Sequence, residues 1–555
     1  MEKIWLKHYS KDIPPSLDYP NIPIVDFLED TAKTFPETLA TIFMGAKLTY
    51  RELNEQVNKF ACGLSSLGIK KGDRVALFFP NCPQSIIALF AALKLGATVV
   101  QNNPLYVERE LKYQINDSGA ETMITLDLEM LYPKVKKIQE ETGLKNVIVS
   151  SLKEYLPFPL SLLYPLAKRK DIAKVAPNAI QFQDLLKKGD TLPSVEISPD
   201  DVALLQYTGG TTGVSKGVML THRNLVANAM QCKSWFPGVE IGKERLLAVL
   251  PFFHSFGMTV SMNFPIYVAA TMILVPRFDT KEILSLIQKH KPTLFPGVPT
   301  MYVAINNHPD VSKYDLSSVK FCISGAAPLP LEVLQQFEKI TGGTLREGYG
   351  LTESSPVTHC NPLEGRVKEG SIGIPFPDTE CKIVDVDTGT KVLGLDEIGE
   401  LCIQGPQIMK GYWNMPEETK LALREGWLYT GDIAKVDEDG YFYIVDRKKD
   451  MIIASGYNIY PRDIEEVLYE YPKVKEAAVA GIPDEYRGET VKAYVVLKDG
   501  VTATEEEIIA FCKENMAKYK VPKKIAFRDE LPKTIVGKIL RRELVEEELK
   551  KIKSQ

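Results

Sequence analysis

Apolar positions change their period several times along the chain, and those changes predict its elements. From Arg74 to Phe79 they run together, as in a strand buried on both faces. From Pro83 to Leu95 they fill a helical length that ends at Gly96, and Thr98 to Gln101 reads as the next strand. Ahead of them, Thr49-Tyr-Arg-Glu52 has capping-box spacing and predicts a helix through Leu67. Strand and helix alternating at this interval predict parallel strands joined by crossover helices, an α/β layered fold.

Later segments carry other periods. Val202 to Leu205 and Val218 to Leu220 read as strands on either side of a glycine-rich turn. Ala248 to Pro276 holds no charged residue unless His254 is protonated, long enough to test as a membrane span. Pro251, Pro265 and Asn263 interrupt it, so it is expected to be buried core beside an apolar pocket. Residues 155–170 place Tyr, Leu, Phe and Pro ahead of Lys168, Arg169 and Lys170. Their prolines predict against a regular amphipathic helix. A packed surface insertion and a shallow membrane contact both fit that stretch, the latter through anionic headgroups.

The charged run Asp446 to Asp450 predicts a domain boundary. Beyond it, Ile464, Val467, Leu468 and Tyr471 mark one helix face. Strands are expected at Glu476–Ala480 and Val491–Leu497, and Thr504-x-x-Glu507 caps a helix to about Tyr519. A small α+β domain follows from that pattern. The 555 residues suit two or more domains. A net charge of -5 and a pI near 5.9 provide no basic field for nucleic acid. Eight cysteines without a C-x-x-C pair, and six histidines without ligand spacing, argue against structural zinc and suit a reducing cytoplasm. The first residues lack the apolar core of a signal peptide.

Candidate chemistry gathers in five places. Tyr207-Thr-Gly-Gly-Thr-Thr-Gly-Val-Ser-Lys216-Gly217 offers backbone N–H groups, hydroxyls and an ammonium to an anionic phosphate chain. Ser215 and Gly217 stand where a Walker A loop needs glycine and Ser or Thr, which disfavours that motif. Ile323 to Leu329 is a small-residue turn that a flat ring can approach closely. In Arg346-Glu-Gly-Tyr-Gly-Leu-Thr-Glu-Ser354, Tyr349 can stack on a purine and Thr352 can bond a phosphate oxygen. Glu353 there suits magnesium. Asp432, after Gly431, can grip two vicinal hydroxyls. Lys538 follows a glycine in the turn between Leu531 and Arg542. A core role and a site-lining role fit His254 equally, and Thr293 to Tyr302 suits a pocket wall.

Together these segments resemble the adenylate-forming superfamily of acyl-CoA synthetases, luciferases and peptide-synthetase adenylation domains, over essentially the whole chain. Trp427 to Glu466 and Pro532 to Arg542 look most like bacterial long-chain fatty-acid–CoA ligases. The resemblance implies a large domain, 1–445, of layered β-sheets and helices with a β-barrel-like part. A hinge at 446–450 and a small mobile α+β lid, 451–555, complete it. Carried onto this sequence, Thr208, Gly209, Gly210, Thr211, Thr212, Gly213, Val214, Ser215 and Lys216 would hold the ATP phosphates. Thr208 and Glu353 would contact Mg²⁺. Gly325, Ala326, Glu347, Gly348 and Tyr349 would surround adenine, with Gly350 in the same turn and Thr352 near the α-phosphate. Asp432 would bind ribose, supported by Arg447, while Thr208, Glu353 and Lys538 would be catalytic.

The same resemblance makes Lys449 the hinge and sets Ser455, Gly456 and Tyr457 against coenzyme A, with Tyr519 and Lys523 on its nucleotide. His254, Gly297 and Met258 would line the acyl pocket. The chain departs from the common pattern at Gly209, Ser215 and Glu347, and Met258 stands where some relatives gate the acyl tunnel with tryptophan. The implied reaction joins a long-chain fatty acid to coenzyme A through an acyl adenylate. Medium-chain or aryl acids, delivery of the adenylate to a carrier protein, and a non-enzymatic AMP-binding scaffold are the alternatives. Expected partners are fatty acid, ATP and coenzyme A, membrane contact through 155–170 on the inner face, and a second copy in a homodimer. Nucleic acid is not expected.

Overall fold

Six parallel strands organise the first two hundred residues in a computed structural model. The structure describes residues 3–188, 191–208, 215–454, 457–484, 488–516, 518, 520–534 and 539–554. The strands lie in the order Val202–Thr208, Thr98–Gln101, Arg74–Phe78, Thr122–Leu126, Asn146–Ser150 and Ile180–Gln181. Lys216–Thr221 and then Gly411–Tyr412 extend this sheet antiparallel beyond Val202–Thr208. Helix Pro83–Lys94 is buried along its whole length. It therefore reads as a continuous apolar run rather than a stripe, because both of its sides meet protein. The Thr49 capping box forms, with the hydroxyl accepting from the Glu52 N–H, and starts the helix Tyr50–Ser66.

A second layer runs Arg245–Ala248, Thr271–Leu274, Leu39–Phe43 and Ala46–Thr49. Single bridges through Leu294 carry it from Leu246 to Phe321, and so to the parallel pair Phe321–Ser324 and Thr344–Gly350. Val357–Cys360 and Ile374–Pro375 continue antiparallel. The bridge Gly373–Phe442 then joins a further antiparallel sheet of Glu380–Val384, Gly399–Gln404, Trp427–Val436 and Phe442–Arg447. One continuous core extends from Trp5 to Phe442. A separate core begins at Ile452 under the sheet that holds Val474–Asp484, Gly488–Leu497 and Lys524–Phe527. Helices Pro461–Glu470 and Glu505–Asn515 belong to that smaller α+β part. The latter stops short of the expected Tyr519.

Residues 155–170 hold a helix despite the prolines that predict against a regular amphipathic one. Leu160–Ala167 is helical with Pro165 inside it. Pro165 stands at the sixth position, past the first turn, and the helix forgoes there the one hydrogen bond an N–H would give to the Ser161 carbonyl. Ala248 to Pro276 folds as buried core: a strand, the short helix Ser255–Met258, a π-helical turn Thr259–Asn263, the helix Phe264–Tyr267 and a second strand. Among the described residues no helix is long and apolar enough to cross a membrane.

Candidate active site

Strand register builds the most enclosed part of the site. Asp432 on Trp427–Val436 lies opposite Arg447 on Phe442–Arg447. That places Arg447 Nε 3.4 Å from Asp432 Oδ1, while the Tyr349 hydroxyl donates to Oδ2 at 2.6 Å. Asp432 is only 4% exposed, so two partners hold a carboxylate that water barely reaches. Burial, and then the Asp432 charge, raise the Tyr349 phenol well above its usual range, so it stays a donor at neutral pH. Tyr349 precedes a tight corner. A side chain at Gly350 would put its Cβ 1.9 Å from the Pro356 carbonyl oxygen, which only glycine avoids.

The glycine-rich loop is held at both ends. Thr208 and Lys216 pair across the strands that flank it, and Ser215 Oγ donates to the Thr208 carbonyl at 2.7 Å. Gly209, Gly210, Thr211, Thr212, Gly213 and Val214 lie outside the described residues. Lys216 pairs with Glu418, and its ammonium lies 5.0 Å from the centre of the Tyr412 ring. The Tyr412 hydroxyl donates to Glu353 Oε1 at 2.9 Å. One tyrosine thus connects the end of the loop with the candidate metal carboxylate. Burial, followed by the Glu353 charge, raises its phenol as well.

Thr352 and Ser255 hydroxyls meet at 3.2 Å, and Thr259 Oγ1 donates to the Ser355 carbonyl at 2.6 Å. These contacts bring the segment of His254 and Met258 against the Thr352 turn. His254 is half-buried, and its Nδ1 accepts from the Phe256 N–H at 3.2 Å; Met258 is buried. The Phe256 ring would touch a Cβ at Gly325 at 2.9 Å, and the Gly325 N–H donates to the Gly297 carbonyl at 3.2 Å. Ala326 turns with φ +69°, a left-handed conformation of about 1 kcal/mol for alanine. The Leu329 N–H donates to Glu347 Oε2 at 3.2 Å. Burial raises the Glu347 carboxyl to about 7, so it is partly protonated near neutrality. Gly348 pairs in register with Cys360 on the next strand.

Residues 28–413 match the AMP-binding enzyme family, and residues 463–538 match the AMP-binding enzyme C-terminal domain. The chain belongs to the AMP-binding enzyme family. It is 51% identical over 554 residues to a long-chain-fatty-acid–CoA ligase of Bacillus subtilis (strain 168), covering 99% of this chain and 98% of that one. An ATP-bound structure of MatB from Rhodopseudomonas palustris superposes with a TM-score of 0.83 at 30% identity, over 95% of this chain and 99% of that one. A structure of an anthranilate CoA ligase with anthranoyl-AMP gives a TM-score of 0.83 at 29% identity, over 96% and 98%.

In this AMP-binding enzyme the second half of the candidate site lies past Asp446. Arg541 reaches Glu465 at 2.6 Å, Asp450 at 3.2 Å and Asp446 at 3.9 Å. The Arg462 N–H also donates to Asp446 Oδ2 at 2.7 Å. Lys449 lies in the same turn, its ammonium lowered by burial. Tyr457 lies on the strand Tyr457–Ile459, paired with Ala454. Lys523 is exposed, its N–H donating to the Val491 carbonyl at 2.9 Å. Lys538, Ser455, Gly456 and Tyr519 lie outside the described residues.

Sequence reasoning missed Tyr412, Glu418, Ser255 and Arg541. Ser255 directly follows His254, and Arg541 ends the turn that carries Lys538. Tyr412 and Glu418 carried no local signal, because their partners are remote in sequence. Among the described residues no group of three or more His, Cys, Asp or Glu is placed to hold a metal. Two carboxylates lie near the end of the loop, and since Glu418 is paired with Lys216, Glu353 is the candidate for the metal. One carboxylate together with phosphate oxygens suits magnesium, which keeps several waters.

Proposed function

We propose that this chain is an ATP-dependent long-chain fatty-acid–CoA ligase, an AMP-forming acid–thiol ligase. The observation that carries the substrate class is its full-length 51% identity to the Bacillus subtilis enzyme of that name. The ATP-bound and acyl-AMP-bound neighbours support the nucleotide and the intermediate.

A fatty carboxylate is a poor acyl donor because its oxygen leaves badly. One carboxylate oxygen attacks the α-phosphorus of ATP, pyrophosphate leaves, and the oxygen becomes part of an AMP leaving group. Thr208, Ser215, Lys216 and the loop 209–214 bind the phosphates, and Lys538 neutralises charge that develops on the transferring group. Bound magnesium, held through phosphate oxygens with Glu353 and Thr208, would offset phosphate charge. Tyr349 and Glu347 bracket the adenine with Gly325, Ala326, Gly348 and Gly350. Asp432 takes the ribose hydroxyls, and its bonds from Tyr349 and Arg447 fix its orientation beforehand. Thr352 faces the α-phosphate. His254, Gly297 and Met258 line the acyl pocket.

The thiolate of coenzyme A then attacks the carbonyl carbon. Its C–S bond forms as the C–O bond to AMP breaks, and the thiol proton passes to solvent. In this proposal residues 451–555 are a lid that turns at 446–450 around Lys449 between the two steps. Ser455, Gly456 and Tyr457 meet the pantetheine arm, while Tyr519 and Lys523 meet the coenzyme A nucleotide. A homodimer, a cytoplasmic location and peripheral contact with the inner face of the membrane through 155–170 belong to the same reading. The test is acid-dependent pyrophosphate release, with and without coenzyme A, across acetate, octanoate, palmitate and benzoate. Turnover that needs coenzyme A and peaks at palmitate is the expected result. A peak at benzoate overturns the substrate class, and pyrophosphate without thioester overturns the coenzyme A step.

A further inference from the structure

The two halves of the site hang on different layers. Strand Val202–Thr208 of the first sheet leads to the glycine-rich loop, and strand Arg245–Ala248 of the second leads into the segment of His254 and Met258. Two buried side chains on the first sheet reach across to that segment. The Asn81 amide, just past strand Arg74–Phe78, donates to the Ala248 carbonyl at 3.0 Å and to the Leu250 carbonyl at 2.9 Å. Its Oδ1 accepts from the Phe252 N–H at 2.9 Å. The next link comes from Gln206, two residues ahead of Thr208, whose Nε2 donates to the Phe253 carbonyl at 2.5 Å. Beyond Phe253 the chain folds back closely, so that a Cβ at Gly257 would lie 2.2 Å from the Pro251 carbonyl oxygen. Ser255 then meets Thr352.

Gln206 is 4% exposed. A carbonyl only accepts, so the amide nitrogen faces Phe253 and Oε1 is turned away from it. That oxygen is buried without a hydrogen-bond partner among the described residues. For stability alone this is a poor choice, because methionine fills the same length and buries no unpartnered oxygen. What the amide adds is a fixed distance between two segments. One carries Thr208 and the loop proposed to hold the phosphates, and the other carries His254 and Met258 of the proposed acyl pocket. A carboxylate and a phosphorus react only when held at near-attack distance, so the spacing of these segments controls the rate.

We infer that Gln206 sets the spacing between the phosphate loop and the acyl segment, while Asn81 fixes the base of that segment. Both act through the chain around Phe253 as positioning residues. The inference rests on the ligase reading and names the residues that align its two substrates. The test is single-turnover formation of palmitoyl adenylate by the full chain, with Mg-ATP and palmitate saturating. Gln206→Met is expected to slow this step roughly tenfold to a hundredfold, the scale for a reacting group misplaced by about 1 Å. Its KM for ATP should change by less than about twofold, because the loop still binds the phosphates.

Asn306→Leu is the matched control. Asn306 is also buried, its amide donates to one backbone carbonyl, that of Val333, and its Oδ1 has no partner among the described residues. It is expected to shift Tm as much as Gln206→Met does and to keep the wild-type rate. Should Gln206→Met not fold, Asn81→Leu carries the test with the same expected split. An unchanged rate for Gln206→Met overturns the inference, as does a loss of rate that Asn306→Leu shares. A raised KM for ATP with the saturated rate intact overturns it too, since Gln206 would then serve ATP binding alone. A wild type that forms no acyl adenylate fails the ligase reading and this inference with it, whereas an active wild type matched by Gln206→Met fails the inference alone.

Discussion

Asp432 and Asp446 are both nearly fully buried and both face arginines, yet their surroundings differ in kind. Asp432 is held by Arg447 across a strand pair and by the Tyr349 hydroxyl from a neighbouring sheet. Asp446 lies on the same strand as Arg447, opposite Ile433, and accepts from the Arg447 and Arg462 N–H groups beside the Arg541 guanidinium. Strand register therefore places both carboxylates, and the difference lies in the partners, which for Asp446 come also from beyond the charged run. Arg541 divides its charge among Asp446, Asp450 and Glu465. In the proposed lid movement the contacts of Asp432 stay and the ion pairs of Arg541 exchange.

The largest expected effect tests the half proposed to turn. Lys538→Ala should slow acyl-adenylate formation by roughly a hundredfold to a thousandfold, the range for losing one preorganised charge donor. Thioester formation from supplied acyl adenylate should fall far less. Equal loss in both steps would break the division of labour. Next comes the fixed half. Asp432→Ala leaves Arg447 and the Tyr349 hydroxyl without their carboxylate, and about 3 kcal/mol of stability should go with it. Urea unfolding measures that loss, and a raised KM for ATP should accompany it.

Arg541→Met should cost less stability, about 1–3 kcal/mol, because Asp446, Asp450 and Glu465 are left to share other donors. Its signature is pH. Burial raises the Asp446 carboxyl to about 6, against the downward pull of Arg541. A carboxyl raised in the fold favours the native state when protonated. Its contribution is full below about pH 4 and is lost as pH rises through about 6. Without Arg541 that pull disappears, Asp446 rises further, and the loss extends to higher pH. Tm from pH 5 to pH 8 should therefore separate variant from wild type most at the upper end. The smallest effect is Tyr412→Phe. It removes one hydrogen bond to Glu353, worth about 1 kcal/mol, and should shift the KM for Mg-ATP with little change in Tm.

Local chemistry in the sequence accounts for much of this fold. The Thr49 capping box, the buried run at Arg74 and the largely apolar helix at Pro83 each satisfy their backbone groups or periodicity within a few residues. Tyr349 and Asp432 each read alone as turn residues, and stood out only in company with the Tyr207–Gly217 loop. Their bond to each other was not legible, since it joins separate sheets. Tyr412 and Glu418 stayed hidden for the same reason: their partners, Glu353 and Lys216, meet them only when Gly411–Tyr412 adds to the sheet edge. The helix at Leu160 was not legible, because the prolines that predict against a regular amphipathic helix still leave room for two turns with Pro165 inside them.

Palmitate labelled with oxygen-18 in its carboxylate gives the most direct test of the central claim. If the acid attacks the α-phosphorus, one labelled oxygen ends in AMP when palmitoyl-CoA forms, and mass spectrometry of the AMP will show it. Label in pyrophosphate, or AMP free of label while palmitoyl-CoA accumulates, would contradict an acyl-adenylate route.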